Sequence, residues 1–254
     1  MIKLLRILDK RQRALRTAVS LRLPGGPDIV NPASFSGQRV IIVGPAETIF
    51  EDLNTTCVDD YDVVVRLNNG MSLAATRPDI LGHRTDVLIH NLREEGQRNA
   101  GPISAQYLNA QNVKTVICPN WGSSDLRKRY YYKRDILKRF DGPKIEILPQ
   151  DFMTKMRFDL EGRAPTVGLS AALFFLDCDV AELAIHGFTF FETRYADSYN
   201  DEVKTAQDAF AWVDAGGAHE PASEKALLRK RLTQSRRPKV ILGTNVKFHL
   251  NGSR

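Results

Sequence analysis

Cysteine is scarce in this chain of 254 residues, with only three in all. Cys57, Cys118 and Cys178 lie far apart, an odd and scattered set that supports neither a disulfide framework nor a thiolate metal site. They read as buried thiols in a reducing compartment. No apolar run is long enough to cross a bilayer. The N-terminus lacks the uninterrupted apolar stretch and small-residue cleavage site of a secretory signal, so the expected location is the cytoplasm. Internal repeats and low-complexity tracts are missing too. Two nucleotide fingerprints are also absent: no G-x-G-x-x-G follows the first apolar strand, and there is no G-x-x-x-x-G-K-[ST]. Those absences set aside dinucleotide binding and P-loop ATP chemistry.

What is present is ordinary for a globular protein, 43% hydrophobic and 26% charged, and long enough for one domain with an extension. The charge is uneven. Residues 1–22 hold seven basic groups (Lys3, Arg6, Lys10, Arg11, Arg13, Arg16, Arg22) and one acid, Asp9, which is the whole net charge of +6. The basic character therefore belongs to a tail. In it Leu4, Leu5, Leu8, Leu15 and Val19 recur at helical spacing, and Pro24-Gly25-Gly26-Pro27 ends the segment. Residues 1–36 read as a basic amphipathic N-terminal extension and 37–254 as the main domain. The helix suits an anionic membrane surface, or a domain face with its basic side in water; a transit peptide is a third reading.

From Gly37 onward, short Val- and Ile-rich runs alternate with helical patterns. Strands are predicted at Val40–Val43, Val63–Leu67, Asp86–Ile89, Val113–Cys118, Lys144–Leu148, Leu183–His186 and Val240–Leu242. Helices are predicted near Ala46–Asn54, Ile103–Asn109, Asp125–Phe140, Val167–Leu176, Glu202–Val213 and Ser223–Thr233. The alternation implies an α/β Rossmann-like sandwich with a mostly parallel sheet. Ligands of such sheets bind beyond the carboxyl ends of the strands. There the chain places Gly44, Asn68-Asn69, His90-Asn91, Pro119-Asn120-Trp121 and Gly187, a polar rim with close backbone access. The single glycine of "RVIIVGPAETIF" leads into a predicted helix whose N–H groups would hold one phosphate or a ribose hydroxyl, as a nucleoside monophosphate requires.

The stretch "VGPAETIFEDLNTTCVDDYDVVVRLNNG", followed by "GHRTD", resembles the large sialyl motif of the sialyltransferases, glycosyltransferase family 29. Gly44, Asp59, Asp62, Arg66 and Asn68 fall at the family's spacing. "APTVGLSAALFFLDCDVAELAIHGF" resembles the small sialyl motif through Pro165, Thr166, Gly168, Gly187 and Phe188, and His219 with Glu224 reproduces the terminal His-x-x-x-x-Glu. The three matches stand in family order between Arg39 and Glu224. The resemblance implies an A-type glycosyltransferase sandwich. It also implies inverting, metal-independent transfer of sialic acid or a related keto-sugar acid such as Kdo, from a CMP-activated donor to a glycan or glycolipid hydroxyl. No cofactor is expected, the CMP-sugar being a substrate. The implied donor-binding set is Gly44, Pro45, Ala46, Arg66, Asn68, Asn91, Thr166, Val167, Gly168 and Tyr199, with the turns at Gly44 and Gly168 gripping the donor's anionic groups.

There are departures from the family pattern. Pro45-Ala46 replaces the family's Asn-Ser, and Val167 replaces a Thr. Val40 stands where a disulfide cysteine would be, and the upstream histidine motif is missing, with Tyr195, Tyr199 and Asn200 nearby as phosphate contacts. With these departures, the resemblance implies a distant, bacterial-type relative of the family.

Transfer from a CMP-ketose needs a base for the acceptor hydroxyl, which a histidine supplies near neutral pH. His219 follows a permissive Gly-Gly-Ala loop and is the candidate. Glu224 would orient its ring or simply open the next helix. His83 and His90 are rivals, and His186 reads as a core residue. Asp60-Tyr61-Asp62 and Asp177-Cys178-Asp179 have the form of metal-binding D-x-D strings, but the first opens a strand and the second leaves a helix. "DLRKRYYYKRDILKRF" mixes basic and aromatic residues as nucleic-acid surfaces do. It also fits an acceptor- or membrane-facing helix, and no nucleic acid is expected. An inactive CMP-binding domain is the other alternative.

Overall fold

A computed structural model describes residues 25–96, 99–215, 217–236 and 238–252. Residues 1–24, which carry the predicted basic helix, lie outside the described residues.

Seven strands, β1 (Arg39–Val43), β2 (Val63–Leu67), β3 (Val87–Ile89), β4 (Thr115–Cys118), β5 (Lys144–Ile147), β6 (Glu182–His186) and β7 (Lys239–Leu242), form one sheet in the order β5-β4-β3-β2-β1-β6-β7. Every pairing is parallel. A parallel sheet is covered on both faces, so its strands are apolar throughout; β2, β3, β4 and β6 are buried at every residue. The helices are α1 (Ile49–Asp52), α2 (Gly70–Thr76), α3 (Pro78–Leu81), α4 (Ala105–Ala110), α5 (Ser124–Arg139), α6 (Gln150–Asp159), α7 (Val167–Asp177), α8 (Ala206–Asp214), α9 (Pro221–Gln234) and α10 (Thr244–Asn251).

The chain leaves β1 in one direction through β5, then returns to place β6 on β1's other side. That reversal sets a crevice at the carboxyl ends of β1 and β6. Alternation along the strands separates two cores. Val40, Ile42, Val63, Val65 and Leu67 pack with α7, and Ile41, Val43, Val64 and Ala184 pack with the other face's residues, including Ile49 and Leu73. α7 is buried along its whole length from Leu169 to Leu176, which explains its unbroken apolar sequence.

Residues 28–36, assigned to the extension by sequence, join the body. Val30 donates to the carbonyl of Ile147 (3.0 Å), and Phe35 sits edge-on to Phe174 and Phe175. The basic aromatic helix α5 is partly core: Tyr130 is fully buried, its hydroxyl donating to Ile145 O (3.0 Å) and accepting from Asp28 N (2.9 Å). Cys118 and Cys178 are buried, and burial pushes both thiols up to about 12. Cys57, expected to be buried, is exposed, because it lies in the turn before the short 3-10 segment Val58–Asp60.

Candidate active site

α7 begins at an extended Thr166 whose Oγ1 accepts from Leu169 N (3.2 Å). The N–H groups of Val167 and Gly168 find no protein partner among the described residues, as the first turn of a helix requires. They open onto a cavity of about 440 Å³. A helix start with free N–H groups and a positive dipole end is an anion seat.

Glu224, on the buried stripe of α9 with Leu227 and Leu228, fixes this turn. Its carboxylate accepts from Thr166 N (2.8 Å) and from Thr166 Oγ1 (2.6 Å). Glu224 is only 3% exposed, and burial pushes its carboxyl up to about 7 against those two hydrogen bonds. His219 reaches the same place from the loop before α9. Ala164 N donates to Ala218 O (3.0 Å), and His219 Nδ1 donates to Ala164 O (2.7 Å). A carbonyl only accepts, so the neutral ring carries its proton on Nδ1 and Nε2 is the basic nitrogen. Nδ1 is also 3.7 Å from Glu224 Oε1.

Both motif glycines press on one ring. A Cβ on Gly168 would stand 2.9 Å from Phe188 Cε1, and one on Gly44 would stand 2.6 Å from Phe188 Cδ2. The two turns are therefore neighbours across Phe188. They differ in what they offer. Gly44 N donates to His186 O (2.8 Å), Ala46 N to Gly187 O (3.1 Å) and Glu47 N to Arg194 O (3.2 Å). The predicted helix Ala46–Asn54 shrinks to the four residues of α1. The free N–H groups expected at the Gly44 turn are thus already used; Gly44 serves the close approach of two backbones, and the cavity meets Pro45 and Ala46 instead.

Asn68, Asn91, Thr166, Val167, Gly168, Tyr199, His219 and Glu224 all line the cavity, with Asn69 and Asn120 of the expected rim, the motif residue Phe188, and Tyr195; Arg93 and Trp212, which the sequence did not single out, join them. Asn68 takes a left-handed φ of 48°, accepts from Asn91 N (3.2 Å) and lies beside the Tyr199 phenol, whose pKa burial raises to about 12. Asn69 holds the same loop through the carbonyls of Ser198 (3.2 Å) and Tyr199 (2.9 Å).

Arg66 does not reach the cavity and is corrected to a structural role. It shares Val64's face of β2, opposite Leu67, because side chains alternate along a strand. It is 1% exposed, with Nε donating to Thr85 Oγ1 (3.0 Å) and Nη2 to the carbonyls of Leu81, Gly82 and Arg84. Burial lowers its pKa to about 10.

The rival histidines are occupied elsewhere. His83 pairs with Asp59 (3.0 Å). His90, fully buried and lowered to about 4 by burial, donates from Nε2 to Ala100 O (2.9 Å). His186 Nδ1 bonds Asp52 O (3.1 Å). Of the two D-x-D strings, Asp62 accepts from Arg39 N (2.7 Å) at the start of β2 and Asp177 pairs with Arg231.

No protein-family model matches this chain, and no curated protein matches it by sequence. Solved structures do. A mammalian sialyltransferase in complex with Gal-beta-1-3GalNAc-ortho-nitrophenol is similar over 90% of this chain and 79% of its own, at 19% identity and a TM-score of 0.53. The sialyltransferase CstII from Campylobacter jejuni, in complex with the substrate analogue cytidine-5'-monophosphate, is similar over 82% of this chain and 80% of its own, at 15% identity and a TM-score of 0.51. At these identities the likeness is one of fold, and the fold is the one implied by the sialyl motifs.

Proposed function

We propose that this chain is a glycosyltransferase that moves sialic acid, or a related keto-sugar acid such as Kdo, from a CMP-activated donor to a glycan or glycolipid hydroxyl, with inversion and without a metal. One observation carries the reading: His219, Glu224 and the open first turn of α7 meet in one cavity at the sheet's switch point. His219 Nε2 takes the proton of the acceptor hydroxyl while that oxygen bonds the anomeric carbon. The bond from that carbon to the phosphate oxygen breaks, its electron pair leaving with CMP. The Val167 and Gly168 N–H groups stabilise the charge gained by the phosphate, as fixed donors do for a developing anion. The Tyr199 phenol stays protonated at neutral pH and serves as a further donor. Glu224 is a positioning residue, holding α7's first turn and the imidazole together. Residues 1–22 are the candidate contact with an anionic membrane, which would place the enzyme at the inner face of the cytoplasmic membrane.

CMP should raise the melting temperature, and CMP-sialic acid or CMP-Kdo should be consumed in the presence of EDTA. His219→Ala should cut that turnover by about 10²–10⁴-fold while CMP still stabilises the fold. Undiminished turnover in the variant rejects the histidine base. A second reading, CMP binding without transfer, is favoured by the occupied N–H groups of the Gly44 turn; stabilisation by CMP with neither donor consumed would select it.

A further inference from the structure

The turn after β6 is strained. Phe190 and Phe191 hold left-handed φ angles of 52° and 65°, a region where the Cβ of a bulky residue crowds its own backbone. Among the described residues no other two side-chain-bearing neighbours are held this way. Within the turn, Glu192 N donates to Thr189 O (2.9 Å) and the hydroxyls of Thr189 and Thr193 bond each other (2.8 Å). Phe190 and Phe191 both line the cavity. Phe190 packs on the same core as Phe188 and Val167, and Val167 supplies part of the anion seat. Phe191 stands edge-on to Tyr195, 6.3 Å between ring centroids.

A strained turn persists where its surroundings over-determine it. The fastening here is Glu192, which does not itself line the cavity. Its Oε1 accepts from Lys225 Nζ on α9 (2.7 Å), and its Oε2 accepts from His249 Nδ1 on α10 (2.8 Å). Both partners are largely buried, with side chains 15% and 11% exposed. Arg229 Nε donates to Leu250 O (2.9 Å), which joins α9 to α10. Partial burial pushes the Glu192 carboxyl up, but the hydrogen bonds from Lys225 and His249 prevail and hold it below its ordinary value. Lys225 follows Glu224 on α9. Consecutive residues of one helix therefore hold two walls of the cavity: Glu224 the first turn of α7, and Lys225 the aromatic turn. Glycine or asparagine at the two left-handed positions would make the same turn with less strain. Two phenylalanines there set apolar surface on the cavity wall instead.

We infer that Glu192 is a positioning residue for nucleotide binding: its carboxylate latches the Phe190-Phe191 turn to α9 and α10, and so presets the cavity wall beside the open turn of α7. The inference rests on the transferase reading and adds to it a residue that acts only through its neighbours.

The test compares the full chain as wild type, Glu192→Ala, Glu192→Gln and Glu192→Ala/Lys225→Ala. In the free proteins, hydrogen exchange over residues 188–194 should be about tenfold faster in Glu192→Ala than in wild type, with residues 167–177 unchanged. A half-exposed ion pair contributes little to stability, so the melting temperature should stay within about 4 °C. CMP affinity should fall about tenfold in Glu192→Ala, and less in Glu192→Gln, which keeps an oxygen for one partner. Both changes in the double variant open one latch, so it should bind CMP within about twofold of Glu192→Ala. Exchange no faster than in wild type overturns the latch. Undiminished CMP affinity in Glu192→Ala, or a loss matched by a melting temperature lowered beyond that range, makes Glu192 a structural strut and overturns its positioning role. Glu192→Gln decides by the same criteria if Glu192→Ala does not fold. A double variant that binds CMP still more weakly overturns the route through Lys225. Wild-type protein that binds no CMP is a different result: it defeats the transferase reading, while the exchange measurement still decides the latch.

Discussion

Two glycine turns meet at Phe188, and they do opposite things. At Gly44 the backbone of β1 passes so near that of β6 that an added Cβ would lie 2.3 Å from Gly187 O, and the turn's amides are bonded to the chain itself. At Gly168 an added Cβ meets the edge of the Phe188 ring, with no backbone atom among its nearest neighbours, and the neighbouring amides have no protein partner among the described residues. Both glycines sit in motifs, and both permit a close approach. In the first the approaching partner is another strand's backbone; in the second it is the Phe188 ring, which leaves the turn's own amides facing the cavity. A motif glycine therefore identifies a crowded backbone, and only the hydrogen-bond inventory tells whether protein or ligand does the crowding.

Substituting each glycine separates the two roles most sharply. Gly44→Ala forces a carbon into a carbonyl between two central strands, where neither backbone can retreat. It should cost at least about 3 kcal/mol or prevent folding, as read by urea denaturation. Gly168→Ala adds helix propensity and asks only that a half-buried ring shift, so stability should stay within about 1 kcal/mol, while CMP affinity falls about tenfold. If Gly44→Ala folds normally, or Gly168→Ala binds CMP undiminished, the contrast between the turns is wrong.

Glu224 gives the open turn a pH signature. Its carboxyl is raised in the folded state from 4.5 to about 7 by burial, so folding favours the protonated form. The stability this group contributes is fully present below pH 4.5 and is lost as pH rises through about 7. The shift corresponds to roughly 3 kcal/mol. Glu224→Gln keeps a carbonyl for Thr166 N and cannot ionise. Relative to wild type, it should gain roughly that amount between pH 4 and pH 8 in denaturation curves. Parallel curves for the two proteins across this range would show that the carboxyl is not held in the way its burial implies.

The sheet was legible because buried parallel strands are short Val and Ile runs and each prediction had a helical stretch beside it; β2 was placed to the residue. The helices α2, α3, α6 and α10 were not predicted. α2 and α3 are too short for periodicity to register, and α6 and α10 lack a side-chain N-cap bond. The late half of the site was readable because Thr166, Gly168, His219 and Glu224 act within two local segments. Arg66 misled because spacing ignores which face of a strand a residue takes. Arg93 went unseen because the turn that brings it to the cavity wall is built by His90 and Glu94, whose bonds cross to Ala100, Gly101, Lys133 and Ile103.

The smallest effect tests how the two turns are joined. Tyr199 belongs to the loop whose Ala46–Tyr195 bridge leans on the Gly44 turn, and its phenol lies beside Asn68 on the cavity wall. Its ring is 5.1 Å from that of Tyr195. Tyr199→Phe keeps that stacking and removes only the hydroxyl, whose net worth is about 1 kcal/mol. If that hydroxyl donates to the nucleotide phosphate, CMP affinity should fall about fivefold, with the melting temperature of the free protein nearly unchanged. If it serves only to hold Asn68, the free protein should lose stability by that same amount and CMP affinity should hardly move. Isothermal titration of CMP beside urea denaturation of the free protein tells the two apart. The first outcome makes the closed turn a scaffold that carries a ligand contact on its neighbouring loop; the second leaves the open turn of α7 to hold the anion by itself.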